Sequence, residues 1–177
     1  MMLIDNPTIS WPSTIRLRYA TRDDLPALEW NGEFTHFRRL YQEIYQNVSQ
    51  GRALMWVVDI PENGIVGQLF VQLESHRQEL ADGRRRAYIY GFRIQPAYRD
   101  HRVGSRLLEK AEVDLIKRRF RWVALNVGRQ NLKALRFYER HGYRIIAADP
   151  GQWSYVDHQG HHQEVCEPAW RIQKCIS

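Results

Sequence analysis

Phe92-Arg93-Ile94-Gln95-Pro96-Ala97-Tyr98-Arg99-Asp100-His101-Arg102-Val103-Gly104-Ser105-Arg106-Leu107-Leu108 is the stretch that decides the fold. A short β-rich run stops at Pro96, a turn carries Arg99 and Gly104, and an amphipathic helix starts at once. Val103, Leu107, Leu108, Ala111 and Leu115 give that helix one apolar stripe. A strand–turn–helix of this kind aims several backbone N–H groups at one point, with the positive end of a helix dipole behind them. Such a point binds phosphate.

Immediately upstream, Ala87 to Ile94 reads as a strand interrupted by Gly91, and an isolated glycine there predicts a bulge or a close backbone approach. Downstream, Trp122 to Val127 is a compact apolar strand. Asn131 opens a helix that carries Ala134, Leu135 and Tyr138 inward, and Gly142 closes it.

Working further outward, 1–14 reads as an irregular leader containing Pro7 and Pro12, followed by one domain over 15–177. Ile15 to Ala20 alternates as a first strand. Thr21 to Asp24 supplies capping residues, and Pro26 suits the first turn of a helix. Phe34, Phe37, Leu40, Tyr41, Ile44, Tyr45 and Val48 recur at helical spacing up to about Asn47, with Gly51 as the stop. Ala53 to Asp59 and Ile65 to Leu73 are strands joined through Asn63-Gly64, a hairpin signal. Ser75 to Arg86 is a polar loop. Arg144 to Ala147 and a stretch around Gln163 to Ile172 add the final strands. The expectation is an α/β (α+β) domain.

The 177 residues are 44% hydrophobic and 26% charged, as in an ordinary globular protein, and the formal charge is +6. No apolar run approaches the ~20 residues that span a bilayer, and the first ten residues lack the pattern of a secretion signal. Two cysteines, Cys166 and Cys175, suggest no disulfide framework and point to a reducing, cytoplasmic setting. The basic runs Arg84 to Arg86 and Lys117 to Arg119 lack the aromatic interleaving of a nucleic-acid platform. Asp157, His158, His161, His162 and Cys166 have ligand chemistry suited to zinc. With no second cysteine nearby, a polar hairpin accounts for them better, so no metal is expected.

Arg99-x-x-Arg102-x-Gly104, continued through Ser105, Leu107 and Leu108 and preceded by Phe92, Ile94 and Pro96, resembles the first cofactor motif of the GNAT N-acetyltransferase superfamily. Asn131-x-x-Ala134-x-x-x-Tyr138-x-x-x-Gly142-Tyr143 is similar to its second. The resemblance covers most of Ile15 to Ile172. It implies a mixed, mostly antiparallel central sheet of about six or seven strands flanked by helices, with a bulged central strand near Gly91.

It also implies acetyl-CoA as cosubstrate. Arg99, Asp100, His101, Arg102, Val103, Gly104 and Ser105 would then cradle the pyrophosphate. Phe92, Arg93 and Ile94 would pair their main chain with the pantetheine arm, and a backbone N–H there would polarise the thioester carbonyl. Asn131 and Ala134 would border the same arm. Tyr138 would be the general acid toward the departing thiolate; as a packing aromatic it would look the same in sequence. One departure matters: Arg102 stands where the motif has its first glycine. It fits if its backbone is ordinary and its guanidinium turns to solvent or onto a phosphate.

No base stands out. Glu33, Glu74, Tyr88 and Tyr90 lie in segments that could border an acceptor cleft, with Glu74 taken as the base and Tyr90 on the acceptor side. That cleft would be shaped by Asp23 to Gly51, by Ser75 to Arg86 and by the tail after Pro150. The acceptor would be a small-molecule or peptide amine, without nucleic acid or membrane, and a homodimer stays open. A non-catalytic acyl-CoA sensor of the same fold and, on charge alone, a nucleic-acid binder are the alternatives.

Overall fold

The structure, a computed structural model, describes residues 14–177. The leader expected over 1–14 therefore falls, but for its last position, outside the described residues. Nine strands and three α-helices follow: β1 (Arg16–Tyr19), α1 (Arg38–Ser49), β2 (Ala53–Ile60), β3 (Gly64–Gln72), β4 (Arg86–Ile94), α2 (Val103–Lys117), β5 (Trp122–Gly128), α3 (Leu132–Arg140), β6 (Arg144–Asp149), β7 (Gln152–Val156), β8 (His162–Cys166) and β9 (Ala169–Cys175). Seven of the strands form one sheet in the order β1-β2-β3-β4-β5-β9-β6, antiparallel except for β4 beside β5. The fold is thus mixed α/β with a mostly antiparallel central sheet.

Two apolar layers cover the sheet. On one face, α2 buries Val103, Leu107, Leu108, Ala111 and Leu115 against Ile89, Ile94, Val123 and Leu125. On the other, Phe37, Tyr41 and Ile44 pack on Met55, Val57 and Phe70. Each fully buried side chain of this size contributes about 1.5–3 kcal/mol, so both layers hold the sheet against its flanking helices.

Three segments differ from the sequence expectation. The run after Thr21 is 3-10 rather than α: Arg22–Gly32, with Pro26 inside and a kink where Trp30 and Asn31 take positive φ. Proline removes an N–H from the ladder and favours such short pieces. The second helix splits into a 3-10 turn, Thr35–Phe37, and α1. The final stretch breaks at Glu167-Pro168 into β8 and β9, and β7 pairs with β8 as a separate two-stranded ribbon. That ribbon turns at Asp157, whose carboxylate accepts N–H groups from Gln159 and His161 at 2.9 Å each. Among the described residues no group of three metal-ligating side chains converges, and no helix is long and apolar enough to cross a membrane.

Candidate active site

The centre of the sheet opens where β4 meets β5. Only Arg86, Ala87 and Tyr88 pair with β5, although both strands run on, to Ile94 and to Gly128. The edge of β4 beyond Tyr88 that faces β5 is therefore left without a strand partner. On its other edge β4 stays paired with β3, but the register slips between Gln68–Arg93 and Phe70–Tyr90. One extra β4 residue is accommodated there, so the strand carries a bulge at Gly91. Gly91 has φ +59, and a Cβ on it would stand 2.5 Å from Phe70 Cδ2.

The bulge changes the parity of the strand. Ala87 and Ile89 before it and Ile94 after it belong to the core under α2, with Phe92 packed against that core. Tyr90 packs on the α1 side instead, and Arg93 joins it there, its guanidinium 4.1 Å above the Phe34 ring and 5.2 Å above that of Phe37. Arg93 Nη1 also donates to the Tyr41 hydroxyl at 3.1 Å.

On this α1 side lies a cleft of about 500 Å³, within the usual range for a small-molecule site. All three segments expected to shape an acceptor cleft contribute, through Phe37 and Tyr41, through Ser75 and Arg77, and through Gln152 and Trp153. Tyr88, Tyr90 and Gly91 form its floor with Asn126 and Gly128 of β5. Burial pushes the Tyr88 phenol up to about 12, with Asp149 adding to the effect, and pushes the Tyr90 phenol up as well.

Two carboxylates line the cleft, Asp149 and Glu167. Asp149 accepts from Arg77 Nη2 and Arg171 Nη2, each at 2.7 Å, and from the Gly151 N–H at 2.8 Å. Burial works to raise its pKa, but these donors overcome it and hold the carboxyl well below the usual range. Glu167 lies over Gly128, its carboxylate so close that a Cβ there would collide with Oε1. It has no ion pair or side-chain hydrogen bond among the described residues. Neither acid belongs to a sequence motif, nor does Asn126, whose Oδ1 is buried without a hydrogen-bond partner. Their positions come from strands and loops that meet only in the fold.

The opposite face carries the turn. After the 3-10 segment Pro96–Tyr98, Arg99 folds back so that Nε donates to the Ile94 carbonyl at 2.7 Å. Asp100 and Arg102 both take left-handed backbone, φ +62 and +63. The condition of an ordinary backbone at Arg102 is thus not met: arginine stands in the left-handed region that favours glycine. Arg102 is the N-cap of α2, with no side-chain cap, and the first internal bond runs from Arg106 N–H to its carbonyl. The N–H groups of Val103, Gly104 and Ser105 consequently have no partner within the helix. Gly104 needs no positive φ, and a Cβ there would meet Phe92, Ile94 and Phe137 only at ordinary contact distances of 3.6–3.8 Å. His101 is exposed beside it and Val103 is buried.

The neighbouring α3 begins at Asn131, whose Oδ1 accepts the Ala134 N–H at 3.1 Å. Lys133 reaches Asp100 at 3.5 Å, so the starts of α2 and α3 adjoin. Tyr138 is 8% exposed and packs edge-on against Phe92, Phe137 and Tyr143. Burial raises its phenol well above the ordinary value, and Tyr88 adds to the shift.

Two expected candidates sit elsewhere. Glu74 is exposed at the end of β3, packed on Gly83 in a bridge with Asp82, and does not line the cleft. Glu33 is likewise exposed and outside it.

A search of curated protein sequences finds no match to the chain. Solved structures of the same fold are numerous. Arabidopsis thaliana NAA60 in complex with acetyl-CoA superposes with a TM-score of 0.67 at 21% identity, over 92% of this chain and 99% of that one. The ribosomal-protein-S18-alanine N-acetyltransferase from Escherichia coli gives 0.66 at 18%, over 93% and 95%. Spermidine/spermine N-acetyltransferase SpeG from Vibrio cholerae gives 0.67 at 16%, over 93% and 94%. The family model described as acetyltransferase (GNAT) family matches residues 18–143, which contain the gap, the bulge and the α2 turn, and the chain therefore belongs to the GNAT acetyltransferases, whose cosubstrate is acetyl-CoA.

Proposed function

We propose that the protein moves the acetyl group of acetyl-CoA to a primary amine by direct attack within a ternary complex. The observation that carries this reading is the unpaired edge of β4 beyond Tyr88, which joins the turn at the start of α2 to the cleft on the other face of the sheet. An extended amide chain can add to such an edge as a strand would. The free N–H groups of Val103, Gly104 and Ser105 suit a pyrophosphate, with Arg102, Arg106, Lys133 and Arg136 exposed around them. Since neither φ nor a clash within the chain demands glycine at 104, the missing Cβ there leaves room for a ligand backbone.

Within this reading, Phe92 to Ile94 present main-chain groups to the pantetheine amides, and the β4 backbone polarises the thioester carbonyl. The amine nitrogen bonds to the carbonyl carbon and the C–S bond breaks. Tyr138, kept protonated by its burial, hands a proton to the departing sulfur, and the proton that the acylated nitrogen sheds returns to its phenolate through solvent. The same apolar surroundings raise the thiolate's own proton affinity, which favours that transfer. Asn131 caps α3, and its amide NH₂ remains available to the cofactor arm.

On the acceptor side the ammonium proton must leave before attack. Tyr88 and Tyr90, whose phenols stay protonated, serve as hydrogen-bond donors rather than bases. Glu167 is the cleft carboxylate that no cation occupies, and it receives the proton directly or through one water. The two exposed free cysteines fit a reducing, cytoplasmic setting.

The test is acetyl-CoA-dependent thiol release across a panel of primary amines, run with the native protein and with Tyr138→Phe. Release should require an amine. The variant should lose roughly 10²-fold or more in turnover while binding acetyl-CoA almost as well. Thermal stabilisation by acetyl-CoA without release from any amine would replace this reading with an acyl-CoA sensor.

A further inference from the structure

The acceptor cleft holds two arginines in contrasting states. Arg77 is matched by carboxylates, with Asp149 at 2.7 Å and Glu79 at 2.8 Å. Of the other half-buried arginines, Arg18 and Arg171 each have an acid within 4 Å and Arg86 has none among the described residues. Arg93 likewise has none among them. Its guanidinium is held instead by the faces of Phe34 and Phe37 and by one hydrogen bond to the Tyr41 hydroxyl.

Aromatic faces fix a guanidinium in place without consuming its N–H fork. One of its five donors is used by Tyr41, and the rest of the fork is left for a planar oxyanion. A half-buried cation without a counter-charge is costly in a standing structure. It becomes favourable when a ligand brings the missing charge. Arg93 is also placed by the bulge: without the extra residue at Gly91 its side chain would belong to the α2 core rather than the acceptor cleft.

At the β5 side of the same cleft stands Glu167, a carboxylate without a cation. The lining of the same cleft also includes the aromatic side chains of Phe37, Tyr90 and Trp153. Such a cleft offers one free positive charge, one free negative charge and an aromatic surface. We propose that the acceptor is an amino acid with an apolar side chain, its carboxylate taken by Arg93 and its amine directed to Glu167. This rests on the acetyl-transfer reading but concerns binding, which can be measured without turnover. A single guanidinium suits a monoanionic carboxylate, which the fork meets with two parallel bonds.

The experiment is calorimetric titration of the protein saturated with coenzyme A, using leucine, phenylalanine and tryptophan, their amides, and their decarboxylated amines. At least one free acid should bind roughly 10- to 100-fold more tightly than its amide, the range set by a hydrogen-bonded charge. Arg93→Gln should erase the preference, and Arg93→Lys should keep part of it. Equal or tighter binding of the amides, no binding by any of the acids, or an Arg93→Gln protein that still prefers acid over amide overturns the proposal. The comparison among ligands on the native protein decides the matter even where a variant fails to fold. Absence of acetyl-CoA-dependent thiol release across the same panel would overturn the transfer reading alone, because the acid-to-amide ratio is read independently of it.

Discussion

Tyr88 of β4 and Ala124 of β5 are the last residues of these two parallel strands that pair, and the cleft begins directly beyond them. Three residues on from Tyr88, Gly91 takes left-handed backbone with no room for a side chain beside Phe70. Gly91→Ala should therefore destabilise the protein by about 2–3 kcal/mol, combining the left-handed penalty with displacement of a core ring. Because relief requires straightening the bulge, acetyl-CoA affinity should fall with stability. Thermal melts with and without acetyl-CoA check both.

Arg102→Gly is expected to act in two directions. Glycine relieves the left-handed strain at φ +63 but enlarges the unfolded ensemble, for a net gain of about 0.5–1 kcal/mol. The same change removes a cation from the turn at the start of α2. Coenzyme A affinity should drop, and more at low ionic strength than at high. Denaturant unfolding and calorimetry at two salt concentrations separate the effects; unchanged affinity would turn the Arg102 guanidinium to solvent.

The pH profile should reflect the raised phenol of Tyr138. An acid whose pKa lies above its ordinary value stays protonated further into the alkaline range. Turnover should then rise with pH as the acceptor amine loses its proton, without a falling limb below about pH 10. Tyr138→Phe should depress the whole curve and leave its rising limb in place.

Asp149 joins β6, β9 and the loop of residues 75–86 through Arg171 and Arg77. Asp149→Asn leaves the two guanidinium groups with Glu79 as their shared carboxylate and should cost about 3 kcal/mol. The folded-state pKa is lowered, so its contribution is complete above the unfolded value near 3.9 and is lost as pH falls through the lower folded value. Native and Asp149→Asn proteins should thus converge in stability only in strong acid, which denaturant titrations from pH 7 to pH 2 would reveal.

Local chemistry made much of this legible along the chain. The apolar stripe from Val103 to Leu115, the Asn63-Gly64 hairpin, Gly91 as a bulge, and Asn131 and Gly142 as the limits of α3 all depend on neighbours a few positions away. The site was legible only where it is local as well. Asn126, Asp149 and Glu167 escaped notice because single acidic or amide residues near strand ends carry no periodicity and no spacing. Glu74 looked like a base for the same lack of information, and in the fold it faces solvent beside Gly83.

By itself, then, the sequence determined the strand–turn–helix at the start of α2, its partner at Asn131, and the family to which both belong, since each is written in residues close together in the chain. Only the tertiary structure decided that Arg102 stands in left-handed backbone, that Tyr138 is buried, and that Arg93 and Glu167 share one cleft without counter-charges among the described residues. Those facts depend on how strands far apart in sequence are laid side by side, and on one extra residue at Gly91 that turns Arg93 from the core to the cleft. Parity along a bulged strand is a property of pairing, which no single strand possesses.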